Sequence, residues 1–317
     1  WSKEVTLHHL LSHTSGLKDV EVPDYVEFGK KPRTREEVLT LYLERNPKLS
    51  FKPGEQYEYS NPNFFIAGIV VEQLTGKTLG EYLKSAIFDP NKKKNTFLPE
   101  EEIEELFKKY PLLAKGFMFS LKEKDSIYPA TVYFASSLNQ GDGGIISTVE
   151  DLIQWNHALW ETESILPNMA KQIMLNPIES KETHYGYGIE VEIDAKNMIY
   201  SHEGLNPGYH SIMFYNPKTK ITLIELSNLS ADLDQFIDIM KKQAANEKLQ
   251  EPEKTKKENE LEQEYPLSQE IYKEHKLVPI DLIKEPLLNI QEIKEKYKLP
   301  APPAPSCPAS ARARRSR

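Results

Sequence analysis

Hydrophobic residues change their spacing near Tyr185, and the change divides the chain into a helical part and a strand part. Upstream, to about residue 175, the chain reads mainly as helices. Thr34 is followed three residues later by Glu37, Thr78 by Glu81 and Ser147 by Glu150. Each pair is a capping box, in which hydroxyl and carboxylate satisfy free backbone N–H groups at a helix start. Thr6 caps a helix from Leu7 to Ser12 that ends near Gly16. The spacing predicts a helix after Asn61 that buries Phe65, Ile69 and Val70 and stops at Thr75-Gly76. Another follows Ser147, with Leu152, Trp155 and Leu159 on one face and Trp155 and Trp160 in the core. Downstream, Tyr187, Ile189, Val191 and Ile193 sit on alternate positions. Ser211 to Tyr215 and Ile221 to Leu226 are β-rich runs, joined by the turn Asn216-Pro217-Lys218-Thr219-Lys220. About three antiparallel strands are predicted, followed by a helix from Asp232 to about Lys248. Helices first and strands later make an α+β fold.

Composition narrows the partners. A formal net charge of −8 leaves no broad basic face, which argues against nucleic acid. The longest apolar run, Phe64 to Val71, is broken by Gly68 and ended by Glu72, so no transmembrane segment is expected. The single cysteine, Cys307, excludes a disulfide or a thiolate zinc site within the chain. Residues 1–248 read as one domain, 249–264 as a charged linker, 265–299 as a small docking element and 300–317 as a low-complexity tail. The chain opens on Trp1 with no leader-like series after it, so a start within a longer gene is the expectation.

Three local patterns occur in order. The first is Val5-Thr6-Leu7-His8-His9-Leu10-Leu11-Ser12-His13-Thr14-Ser15-Gly16-Leu17. The second is Tyr57-Glu58-Tyr59-Ser60-Asn61 before an apolar helix, and the third is Ser201-His202-Glu203-Gly204-Leu205-Asn206-Pro207-Gly208-Tyr209 between two strands. With these, residues from Trp1 to about Lys242 resemble the serine β-lactamase and penicillin-binding-protein superfamily, in its class C-like branch of D,D-carboxypeptidases, D-aminopeptidases and esterases. The resemblance implies a helical lobe inserted into an antiparallel sheet with flanking helices. It also implies acyl transfer through a serine on a small-molecule amide or ester or a peptidoglycan-derived peptide, with no metal and no organic cofactor. Family members usually act outside the cytoplasm, so a periplasmic or extracellular site is suggested by the resemblance alone.

The site residues follow residue by residue. Tyr59 and Asn61 match the family's Tyr-x-Asn motif: Tyr59 would pass a proton if nearby cations lower its pKa from about 10, and Asn61 would hold a substrate carbonyl and a neighbouring lysine. An ordinary turn before a helix would use the same residue types. His202-Glu203-Gly204 stands where β-lactamases carry Lys-Thr-Gly. His202 would offer a partial positive charge to a substrate carboxylate, and Gly204 would let the substrate backbone lie against the strand. A strand histidine beside a turn is the alternative. Ser211 is placed near the strand edge that supplies an oxyanion-hole N–H. Gly141-Asp142-Gly143-Gly144 corresponds to a tight turn near the site. His9 and His13, four apart, pack or cap the helix that frames the site rather than bind a metal.

The nucleophile is the gap. In the family a Ser-x-x-Lys at the start of a buried helix lies upstream of the first pattern. The only match here is Ser15-Gly16-Leu17-Lys18, which overlaps that pattern after a helix end and reads as coincidence. The expectation is a domain without its N-terminal strands and nucleophile helix, hence a sheet with an open edge, poor solubility and no activity of its own. Two readings follow: part of a serine hydrolase, or a non-catalytic descendant that binds peptides, muropeptides or a protein partner in the old cleft.

Overall fold

The computed structural model describes residues 3–19, 33–101, 103–120, 126–130, 141–175, 185–194 and 197–231. The expected helix Asp232 to Lys248, the linker, the docking element and the tail lie outside the described residues.

Three of the helix starts are those the capping residues specify. In α1 (Leu7–Leu11), Thr6 Oγ1 accepts from the His9 N–H and His9 Nδ1 accepts from the Thr6 N–H. Reciprocal Thr–Glu boxes begin α2 (Arg35–Arg45) at Thr34 and Glu37, and α4 (Leu79–Leu83) at Thr78 and Glu81. Between them, α3 (Asn61–Thr75) carries Pro62 in its first turn and ends on Gly76 at φ +69°. A π-helical turn (Lys84–Phe88) extends α4, and α5 (Ile103–Lys109) starts with Glu104 and Glu105.

One cap is displaced. Helix α6 (Val149–Asn156) starts on Thr148, whose Oγ1 accepts from the Asp151 N–H at 3.2 Å. Ser147 instead meets Thr96 Oγ1 at 2.8 Å. Ser147–Glu150 and Thr148–Asp151 have equal spacing, so the pattern alone cannot choose. The tertiary structure does, because the buried Asp151 also accepts from Asn95 N–H and Thr96 Oγ1. A second π-helical turn (His157–Glu161) and α7 (Asn168–Leu175) follow.

The helical lobe is held by α3. Phe65 packs with Val38 and Tyr42 of α2, while its neighbour Ile66 packs with Val5, Leu10 and Leu17 around α1. Each such buried side chain stabilises the lobe by about 2 kcal/mol. Of the predicted set, Phe65 is fully buried, and Ile69 and Val70 are only half-buried. Trp155 and Trp160 are likewise half-buried, with the Trp160 ring 4.8 Å from that of Tyr200.

The strands exceed expectation. A short sheet in the order β2-β1-β7 contains β1 (Phe117–Ser120), β2 (Ser126–Pro129) and β7 (Leu229–Ala231), with β1 and β7 parallel. Among the described residues the main sheet has four antiparallel strands rather than three: β3 (Glu190–Asp194), β4 (Asn197–Asn206), β5 (Tyr209–Asn216) and β6 (Ile221–Ser227). The third pattern therefore occupies the end of β4, the turn at Pro207-Gly208 and the first residue of β5, rather than a link between strands. Residues Tyr185 to Ile189, expected in a strand, form a bend in which Gly186 N–H donates to Ile189 O at 2.8 Å. The turn from Asn216 to Lys220 is as expected: Asn216 Oδ1 accepts from the Lys218 and Thr219 N–H groups.

Candidate active site

Helix α3 begins by presenting Tyr59 and Asn61. Ser60, its N-cap, gives no side-chain cap, and the Asp19 carboxylate takes that place from outside the helix. Asp19 accepts from Asn61 N–H at 3.2 Å and from Asn61 Nδ2 at 2.9 Å. An anion at a helix start is favoured by the free N–H groups and the dipole there. The same bond commits the Asn61 amide nitrogen and leaves its oxygen as the acceptor for a ligand.

His13 fixes the segment from beneath. It is fully buried and holds a left-handed backbone, φ +54°, which costs a non-glycine residue about 1 kcal/mol or more. The residue lies beyond the end of α1, so His9 and His13 do not share one helix face. Its Nδ1 accepts from the Ser60 N–H at 3.1 Å and lies 3.1 Å from Asn63 Nδ2. Burial, reinforced by His202, lowers the His13 pKa to about 3, so the ring is neutral.

Strand β4 brings His202 to the same place. Its ring centroid lies 6.2 Å from that of Tyr59, and the Tyr59 ring lies 4.1 Å from His13. Tyr185 stands among them, with its hydroxyl 2.9 Å from His202 Nε2 and its ring 5.0 Å from His13. Tyr59 is 39% exposed and Tyr185 1%, so of the two phenols only Tyr59 can meet a substrate.

The electrostatics reverse one expectation. Tyr59 is pushed up to about 12 by burial and then by the carboxylates of Asp19, Asp142 and Glu190. It is therefore a protonated phenol at neutral pH, and the cationic surroundings expected of it are replaced by acidic ones. Glu190 is itself raised, first by burial and then by repulsion from Glu203 and Glu192, against the pull of His202. Asp142 belongs to the glycine-rich turn, where Gly141 takes φ +132° against the Phe64 carbonyl at the start of α3.

Gly204 and Ser211 are directly paired across β4 and β5. A Cβ on Gly204 would lie 2.5 Å from Ser211 Oγ, so the glycine makes room for a neighbouring strand as well as for any ligand. Ser211 also pairs with Leu226 of β6. Its N–H thus faces an adjacent strand, which corrects its placement as an oxyanion-hole donor. The β3 ladder ends at Glu190 opposite Ser201, so among the described residues His202–Asn206 has a strand neighbour on the β5 side only. That leaves a strand edge beginning at His202.

Ser15, the serine of the lone Ser-x-x-Lys match, is fully buried, donates to Asn63 Oδ1 at 2.5 Å and accepts from Leu17 N–H. It braces the lobe and cannot meet a substrate. Sequence reasoning brought Tyr59, Asn61 and His202 together but missed Tyr185, Asp19 and the central place of His13. The Tyr185-Gly186-Tyr187-Gly188 run was the available signal for the first.

The family model described as beta-lactamase matches residues 1–245. The chain belongs to the beta-lactamase family. Within that family it is similar to a penicillin-binding protein of Bacillus subtilis, with 26% identity over 258 residues, covering 75% of this chain and 54% of the relative. A D-aminopeptidase of Gluconobacter oxydans is 22% identical over 234 residues, covering 69% and 41%. The chain thus spans about half the length of these curated relatives. Among solved structures, D-amino acid amidase from Ochrobactrum anthropi, complexed with D-phenylalanine, superposes with a TM-score of 0.60 and 25% identity over 71% of this chain and 65% of that one. A penicillin-binding protein from Bacillus halodurans shares the fold, with a TM-score of 0.59 and 23% identity over 75% and 73%. Helices around an antiparallel sheet make this beta-lactamase-family fold α+β.

Proposed function

We propose that this chain supplies the proton-transfer and substrate-binding side of a serine hydrolase that cleaves amides of small amino-acid or peptide substrates. The observation that carries the reading is the meeting of the Tyr59–Asn61 segment with His202 and the strand edge that starts there. Relatives named as a D-aminopeptidase and a D-amino acid amidase support amide chemistry ahead of β-lactam hydrolysis. So does the absence of a lysine at His202, since an imidazole is a weaker anchor for a carboxylate.

In this reading the nucleophile comes from a Ser-x-x-Lys segment outside residues 1–317. A serine Oγ attacks the amide carbonyl, and its proton passes to the Tyr59 oxygen as the Tyr59 O–H protonates the leaving nitrogen. Water then cleaves the acyl-serine ester. Asn61 offers its amide oxygen to a donor of the substrate or to the lysine, and the strand edge at His202–Gly204 aligns the substrate backbone.

The test is to read the gene in frame beyond Trp1 and express the product that includes any Ser-x-x-Lys found. Turnover of a D-amino acid amide, with an acyl adduct on that serine by mass spectrometry and loss of both in Tyr59→Phe, is the expected result. Loss of at least a hundredfold is expected for removing the proton donor. A frame with no such segment, or one whose product binds peptides without an adduct, overturns the hydrolase and leaves a binding protein.

A further inference from the structure

We propose that Tyr185 is a positioning residue that holds His202 in its Nδ1–H tautomer and, through it, fixes the Glu203 carbonyl where the strand edge begins. Only the consequence for turnover rests on the hydrolase reading. His202 Nδ1 lies 2.7 Å from the Glu203 carbonyl oxygen. A carbonyl can only accept, so Nδ1 carries the hydrogen, and in a neutral ring Nε2 must then accept. The partner at Nε2 is the Tyr185 hydroxyl at 2.9 Å, which therefore donates. The chain of hydrogen bonds runs one way, from Tyr185 to His202 to the backbone of Glu203.

Tyr185 has little freedom to leave. It is 1% exposed and flanked by the rings of His13 at 5.0 Å and Tyr57 at 5.7 Å. The bend that carries it is tied to two helices: Tyr187 N–H donates to Met174 O at 2.7 Å, and Gly188 N–H to Leu11 O at 3.2 Å. A Cβ on Gly186 would come within 2.1 Å of the Met174 carbonyl oxygen, so only glycine lets the bend close this far. His13 holds the opposite tautomer, because its Nδ1 accepts from the Ser60 N–H. Backbone partners thus set both imidazoles, and the phenol of Tyr185 completes the second.

Removing the Tyr185 hydroxyl frees Nε2 to take the hydrogen, and the ring then lets go of the Glu203 carbonyl. The peptide between Glu203 and Gly204 loses its tether where a substrate backbone would align.

The test needs no turnover. In ¹⁵N-labelled residues 1–317, the ring nitrogens of His202, assigned by comparison with His202→Gln, are read by long-range ¹⁵N–¹H correlation at alkaline pH. The expected pattern is a proton-bearing Nδ1 and an acceptor Nε2, with Tyr185→Phe moving His202 toward the Nε2–H form while its melting temperature stays near that of the parent. A parent His202 with Nε2–H, or a Tyr185→Phe pattern identical to the parent, overturns the proposal. If Tyr185→Phe fails to fold, the parent spectrum alone still decides. In an enzyme that turns over, Tyr185→Phe lowers kcat about tenfold with KM little changed. A failure of the hydrolase reading removes only that last measurement, and the tautomer result stands apart from it.

Discussion

His13 links the two halves of the site through a ring that never meets solvent. A neutral, buried imidazole with a pKa near 3, against 6.5 when unfolded, makes stability depend on pH with a definite sign. The unfolded chain takes up a proton near 6.5 and the folded one does not. The contribution is therefore complete above that value and is lost as pH falls from 6.5 towards 3. Its size is about 4 kcal/mol over that window. Urea unfolding at pH 7 and pH 4 should show the parent losing more stability than His13→Gln, which has no such proton to gain. Equal losses would mean that the ring is solvated or charged in the fold. Tyr59 teaches a related lesson. Its residue type and spacing pointed to proton transfer, but Asp19, Asp142 and Glu190 come from three separate segments, so the acidic surroundings were invisible from the motif.

Elements differ in how far their own residues specify them. The Thr34 and Thr78 caps and the Asn216 turn are local, each satisfied within a few residues, and all were legible in the sequence. Strand β4 was not, because Asn197-Met198-Ile199-Tyr200-Ser201-His202-Glu203-Gly204 has no clean alternation. Its extended state is imposed by β3 on one side and β5 on the other. The pairing of Gly204 with Ser211 makes that imposition testable. Gly204→Ala should destabilise the fold by about 1–2 kcal/mol through overpacking against Ser211 Oγ, and adding Ser211→Ala should restore most of it. Additive losses in thermal melts of the double variant would show that the contact is not the cause. Ser211 itself marks where reading by motif failed: its distance from Gly204 along the chain hides the fact that the two are direct neighbours across the sheet.

For the whole molecule, β6 is decisive. Among the described residues it ends the strand order of the main sheet, and its Ile221 and Leu223 are 58% and 52% exposed. An edge that presents both unpaired backbone and apolar side chains invites pairing with another chain. Residues 1–317 alone should self-associate in a concentration-dependent way, and Ile221→Lys with Leu223→Lys should suppress it in sedimentation velocity. A parent that stays monomeric at high concentration and melts in one cooperative step would contradict this.

Tyr187 donates to or accepts from His8 Nδ1 across 179 positions of chain, and Asn228 Nδ2 donates to the Lys115 carbonyl across 113. Such distant partners set the order in which the protein can be built. The helical lobe has its own local caps and core and can form while synthesis is still under way. The aromatic cluster at Tyr59 must wait until Tyr185 and β4 have emerged, and the closure of β1 on β7 until Ala231 has. Loop closure of that length is slow compared with helix formation. The growing chain therefore spends a period with its lobe finished and its site unmade, and β4, on which the chemistry would depend, arrives only after the lobe's helices.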